Sequence, residues 1–255
     1  MSNVILVGGL DVAELAFYLF AGFFLALIFY LRREDRREGY PREEDLTGQL
    51  LADGGVFAAA SPKTFKLPFD RGTPSFPNGS RDAMPKNMTP RAYPGTAFEP
   101  TDANPLASGL GPGSYAMRAD VPDVDMHNRP RIVPMRVDGH LQVVAQDTDP
   151  RGLPVTGCDD VIAGTVRDLW VDRAEHVIRY LEVELTGGGT AIMPMPMVKV
   201  TKRFVNTDAI TAAQFAGAPQ LASMDQITLL EEEKVQAYFG AGYLWATKAR
   251  SEPLI

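Results

Sequence analysis

At 255 residues the chain has room for a membrane anchor and one or two modest domains. Its net charge of −7 argues against nucleic acid as a partner, and its single cysteine, Cys158, excludes an internal disulfide framework. The context of that cysteine, VTGCDD, has no recognisable catalytic pattern, and His127, His140 and His176 are too widely spaced for a zinc motif.

The first predicted element is a membrane span. From Leu15 to Leu31 the chain carries no charge, no proline and one glycine, and it ends at Arg32 and Arg33. A helix needs about 20 apolar residues to cross a hydrocarbon core, so Val12 and Ala13 extend the span and place it at residues 12–32. Tyr18 and Tyr30 suit the interfaces. A signal peptide would want a basic residue before the apolar run, and MSNVILVGGLD has none. A core helix is rarely apolar on every face. Arg32, Arg33, Arg36, Arg37 and Arg42 follow the span, which by the positive-inside rule leaves residues 1–11 outside and the bulk cytoplasmic. The first four of these arginines are the expected membrane-interface residues.

Residues 33–131 read as an extended segment. Between Pro41 and Pro134 lie fourteen of the twenty prolines, and apolar periodicity is weak. Composition alone would favour a disordered linker, yet Phe57, Phe65, Phe69, Phe76, Tyr93, Phe98 and Tyr115 are too many aromatics for a typical one. The expectation is a segment laid over a partner, its aromatics in pockets.

Residues 132–247 read as a small antiparallel barrel or sandwich with a C-terminal helix. IVPMRVDGHLQVVAQD predicts a hairpin around Asp138-Gly139. VIAGTVRDLWVD, VIRYLEVEL, TAIMPMPMVKV and RFVNTDAI predict four further strands, with a turn at Thr186-Gly187-Gly188-Gly189. GTVRDLWVD has no clean face, which suggests a bulge. VIRYLEVEL alternates, with Ile178, Tyr180, Glu182 and Glu184 on the polar side. Ser223 and Gln226 have capping-box spacing, and Ile227, Leu230, Val235, Tyr238 and Phe239 form a helical stripe. Glu231, Glu232 and Glu233 read as a solvated face, Gly240 and Gly242 as the helix stop, and residues 248–255 as a mobile tail.

No phosphate loop, dinucleotide fingerprint or nucleophile elbow is present. PMPM at 194–197 reads as core methionines and edge prolines rather than a soft-metal site. The remaining chemistry lies in two acidic groups: Asp120, Asp123, Asp125 with His127, and Asp168, Asp172, Glu175 with His176. These are either solvated surface or a relay that passes protons through water.

RREDRREGYP after a single span, PKTFKLP, DPRGLPV, DLWVDR, RYLEVEL and DQITLLEEEKVQAYFGAGYL together resemble the heavy (H) subunit of the purple-bacterial photosynthetic reaction centre, over about residues 10–247. Leu46 to Pro62 and residues 70–92 match less closely. The resemblance implies a single N-terminal transmembrane helix plus a mainly-β cytoplasmic domain, a small PRC-type barrel, with a C-terminal helix. It implies light and medium subunits as partners, which carry bacteriochlorophyll, bacteriopheophytin, quinones and non-haem iron, while this chain binds no cofactor. An antenna ring and membrane lipids are further implied neighbours, in the bacterial inner (chromatophore) membrane. The implied role is non-catalytic: stabilising the complex, shielding the primary quinone, and assisting proton transfer to the secondary quinone. Glu175 matches the family's quinone-site glutamate, and Asp172 and Asp168 match acids of the same network. Asp125 and His127 match its proton-entry cluster, which can also take surface zinc. Arg129 stands where some relatives have a second histidine, replacing an imidazole by a permanent cation. The competing readings are a membrane-tethered PRC-barrel adaptor without a photosynthetic role, and an anchored hydrolase, against which the missing nucleophile counts.

Overall fold

The structure is a computed structural model that describes residues 5–7, 10–44, 47–51, 60–80, 86–90 and 97–251. The chain divides into two compact units, 1–83 and 84–255. Phe57, Tyr93 and the last four residues of the expected tail lie outside the described residues.

In the first unit, helix α1 spans Val12–Glu34. Asp11 caps it, accepting from the Glu14 backbone N–H at 2.8 Å. None of its residues is buried within the chain, and Phe17, Leu19, Phe20 and Phe23 are more than 60 % exposed. The helix is long and apolar enough to cross a membrane, and with every face uncovered it is not a core helix of this chain. Beyond it, β1 (Lys63–Thr64) pairs with β2 (Ser75–Phe76). Arg37 ties this hairpin to the helix end. It grips both oxygens of Glu34, at 2.9 and 2.7 Å, and donates to the carbonyls of Ser61 and Phe76.

The second unit opens with β3 (Met88–Pro90) paired to β4 (Phe98–Pro100). The proline-rich segment is not extended throughout. A 3-10 turn at Pro105–Ala107, capped by Asn104, buries Leu106 in the core. Of the aromatics expected in pockets, Phe65, Phe69 and Tyr115 are exposed within this chain.

The main sheet contains β5 (Ile132–Pro134), β6 (Pro154–Thr156), β7 (Ile162–Asp172), β8 (Val177–Leu185), β9 (Thr190–Pro194), β10 (Lys199–Val200) and β11 (Val205–Asn206). Their order is β9-β8-β7-β6-β11-β10, with β5 also on β7. All pairings are antiparallel except β6 with β11. The expected hairpin at Asp138-Gly139 is half present: β5 forms, but Leu141–Gln146 is not a strand. Asp138 instead receives Arg173 at 2.8 Å. The anticipated bulge exists at Arg167 of β7, where Val166 and Asp168 face Val183 and Glu182, and a second, unanticipated one lies at Arg179 of β8. Gly188 and Gly189 turn β8 into β9 at φ of 88° and 87°, a region that favours glycine.

Helix α2 spans Leu229–Trp245. Its capping box is Thr228 with Glu231, not Ser223 with Gln226, because the chain from 223 to 227 is still turning. Of the predicted stripe, Leu230, Val235, Tyr238 and Phe239 are buried on α2, while Ile227 is buried just before the helix begins. Gly240 and Gly242 do not stop the helix. A Cβ on Gly242 would lie 2.2 Å from the Ala209 carbonyl, so this glycine lets a neighbouring backbone approach. The polar side of β8 is not solvated either, since Tyr180 and Glu182 are 1 % and 0 % exposed.

Candidate functional site

The acids at the ends of β7 and β8 are not one cluster. Two arginines divide them. Arg131 immediately precedes β5, and the register of β5 on β7 sets Ile132 opposite Asp172. Its guanidinium therefore reaches the end of β7. Arg131 Nε lies 3.0 and 2.9 Å from the two Asp172 oxygens, Nη1 lies 3.4 Å from Asp123, and Nη2 is paired with Glu175. Asp172 is 1 % exposed and also accepts the backbone N–H groups of Ala174 and Glu175, at 2.9 and 3.0 Å. Burial pushes its carboxyl pKa up, but Arg131 and the two N–H groups outweigh this and the net shift is down. The hydrogen bond to Asp172, reinforced by Glu175, raises the Arg131 pKa against burial. Asp172 thus stays ionised and positions the arginine. The Glu175 side chain is 56 % exposed and has only one arm of that arginine.

The residues between β7 and β8 form a tight turn, with the His176 N–H on the Asp172 carbonyl at 2.8 Å and His176 at φ 56°. This turn carries Glu175 to the rim of a cleft of about 310 Å³. Arg118, Arg179, Glu232 and Glu233 line the same cleft.

Asp168 belongs to a second, closed arrangement. It lies directly opposite Glu182 across β7 and β8. Like charges at such a position repel, and Arg136 bridges them, at 3.0 Å from Asp168 and 2.7 Å from Glu182. Trp170 Nε1 donates to the same Glu182 oxygen at 3.1 Å. The other oxygen, Oε1, has no hydrogen-bond partner and lies 3.5 Å from Arg167. Burial lowers the Arg136 pKa, yet the two carboxylates reverse that and leave it raised.

Asp125 and His127 do share a turn. Asp125 Oδ1 accepts the backbone N–H groups of His127 and Arg129 at 2.8 and 3.0 Å, and Oδ2 takes the Arg129 guanidinium at 2.7 Å. The Arg129 N–H, against burial and with help from the guanidinium and the His127 N–H, lowers the Asp125 pKa to about 2. Its carboxylate organises the turn, while His127 is exposed. Among the described residues no group of three His, Cys, Asp or Glu side chains is placed to hold a metal.

The interface arginines also differ. The Arg32 side chain is 58 % exposed beside Asp35, and Arg33 is exposed. Arg36 lies 5.1 Å from the Tyr40 ring centroid. Arg37, 14 % exposed, faces the protein.

Sequence reasoning missed Arg131, Arg136, Glu182 and Glu232. Glu182 offered one signal, a carboxylate between the apolar positions of a strand that needed a partner if buried. The arginines offered none, because the buried acids they grip, Asp172 for Arg131 and Asp168 and Glu182 for Arg136, lie 32 to 46 residues away.

Two protein-family models match this chain. The model described as "Photosynthetic reaction centre, H-chain N-terminal region" matches residues 4–137, more than half of the chain. The model of the PRC-barrel domain matches residues 143–214, the stretch that contains β6 to β11.

Proposed function

Because the chain belongs to the photosynthetic reaction-centre H-chain family, we propose that it caps the cytoplasmic face of the light and medium subunits and steadies the complex. In this reading it shields the primary quinone and helps carry protons to the secondary quinone during light-driven electron transport. The family is one of structural subunits, associates with light and medium subunits, and implies no cofactor on this chain. Among the described residues one helix, Val12–Arg37, is long and apolar enough to cross a membrane, which agrees with a single-pass protein. The arginines after it favour an N-terminus outside the cytoplasm.

The observation that carries the proton-delivery reading is the Arg131 cluster. A reduced secondary quinone must collect protons, and a protein supplies them through carboxyls that touch both solvent and interior. Glu175 has that position, exposed at the rim of a polar cleft and tethered by Arg131 to buried Asp172. Asp172 serves by holding charge and geometry, and Asp168 by closing the barrel beneath Arg136. Asp125 and His127 stand as the proton-entry candidates, with Arg129 occupying the carboxylate. A surface zinc there would have to displace Arg129.

The assembly reading is tested on the tagged chain extracted in mild detergent. Its near-infrared spectrum should show co-purifying bacteriochlorophyll and bacteriopheophytin bands. A colourless preparation from photosynthetic cells would leave a membrane-tethered PRC-barrel adaptor instead.

A further inference from the structure

Glu232 was expected on a solvated helix face. It lies in the first turn of α2 and is 7 % exposed. Its Oε2 accepts the Tyr180 hydroxyl at 2.8 Å, and Gln236 donates to that hydroxyl at 3.0 Å. Tyr180 is itself 1 % exposed. Glu232 thus lies against the barrel wall and lines the cleft that Glu175 also lines.

The other cleft acids have cationic partners: Arg131 for Asp172, Asp123 and Glu175, and Arg118, at 3.5 Å, for Glu233. Among the described residues no cationic nitrogen lies within 4 Å of Glu232. We infer that Glu232 is a proton store for the cleft, holding a proton in the resting complex and yielding it through water toward Glu175. This rests on the proton-delivery reading above and adds to it a residue inside α2.

Every element packed around the group contributes to its state. From α2, Glu231 is held in the capping box and Glu233 faces Arg118. From β8 come Arg179 and the Tyr180 hydroxyl; from the segment before β5, Arg118, Asp123 and Arg131; from the end of β7, Asp172, and from the turn after it, Glu175. Burial raises the Glu232 pKa and is the largest influence. The Tyr180 hydrogen bond, Arg179 and Arg118 pull it down, Asp123 pushes it up, and the net shift is upward. A cleft of about 310 Å³ holds several waters at ~30 Å³ each. The transfer balances simply: Glu232 releases H⁺ to water, a water proton passes to the Glu175 carboxylate, and Glu232 regains H⁺ from solvent.

The test uses the intact complex. Glu232→Gln keeps the acceptor for Tyr180 and removes the titratable proton. Infrared spectra of the resting complex at neutral pH should lose a protonated-carboxyl band in E232Q. The second electron transfer to the secondary quinone should slow about three- to tenfold, less than the ~100-fold a sole positioned acid would command, and its pH profile should change. Glu232→Asp, which restores a carboxyl, should recover most of the rate. An unchanged infrared spectrum, or an unchanged pH profile of the second transfer, overturns the inference. Glu175→Gln is measured alongside. If E175Q slows the second transfer and E232Q does not, only this inference fails. If neither does, the delivery reading has failed and takes the inference with it.

Discussion

Arg131 and Arg136 are five residues apart, and each grips two or more carboxylates, yet they solve different problems. Arg136 neutralises Asp168 and Glu182, which face each other across two strands and are 5 % and 0 % exposed. Both acids share one arm of that guanidinium, while its other arm skirts exposed Asp225 at the longer distance of 3.6 Å. Arg131 joins one buried acid, Asp172, to two that reach solvent, Glu175 and, at the longer distance of 3.4 Å, Asp123. The same guanidinium chemistry is a rivet where its short contacts go to two buried acids and a tether where a short contact goes to an exposed one. Identical residue types thus acquire different roles from burial alone.

The largest effect should come from the rivet. Arg136→Met takes the shared cation from two buried carboxylates, leaving Glu182 only the longer contact to Arg167, and should cost about 3–5 kcal/mol. Denaturant unfolding of the full chain in detergent measures it, and a loss below about 1 kcal/mol would mean that Arg136 is not what holds β7 and β8 together. Asp172→Asn should cost less, about 1–3 kcal/mol, because the backbone N–H groups keep an acceptor while Arg131 loses its main anchor. If the two variants unfold alike, the distinction between rivet and tether is lost.

Acid sharpens the comparison further. Asp172 and Asp125 both have lowered folded-state pKa values, Asp125 from 3.8 to about 2. A depressed pKa adds stability that is present above the unfolded value and is lost as pH falls through the folded one. Stability should therefore drop between about pH 4 and 2, and Asp125→Asn should flatten part of that slope. A slope unchanged in this variant would mean the Arg129 turn does not hold its carboxylate. The smallest stability effect belongs to the exposed arm. Glu175→Gln should change unfolding by under about 1 kcal/mol, since solvent screens that ion pair. A loss comparable to that of Asp172→Asn would make Glu175 structural.

Much of this fold was legible in the sequence. The span, the long strands β7 and β8 and the apolar stripe of α2 follow from hydrophobic periodicity, which depends on near neighbours. The bulge was visible as a failed alternation around Arg167. What could not be read depends on distant partners. Glu182 looks solvent-facing until Arg136 and Trp170 arrive, and Glu232 looks like one of three surface acids until Tyr180 covers it. Gly242 mimics a helix stop because its neighbour, the Ala209 carbonyl, lies 33 residues earlier. The candidate acids were identifiable one by one, but their division between two arginines was not, and that division separates buried Asp168 from Glu175, which reaches solvent.

The central claim is that Glu175 passes protons while Asp172 and Arg131 hold it in place. Flash absorption spectroscopy on the purified complex carrying Glu175→Gln tests it most directly, by following both electron transfers to the secondary quinone across pH. The account predicts a first transfer little changed and a second transfer slowed, because only the second requires the proton. A second-electron rate equal to wild type from acid to alkaline pH would contradict it and place proton delivery elsewhere.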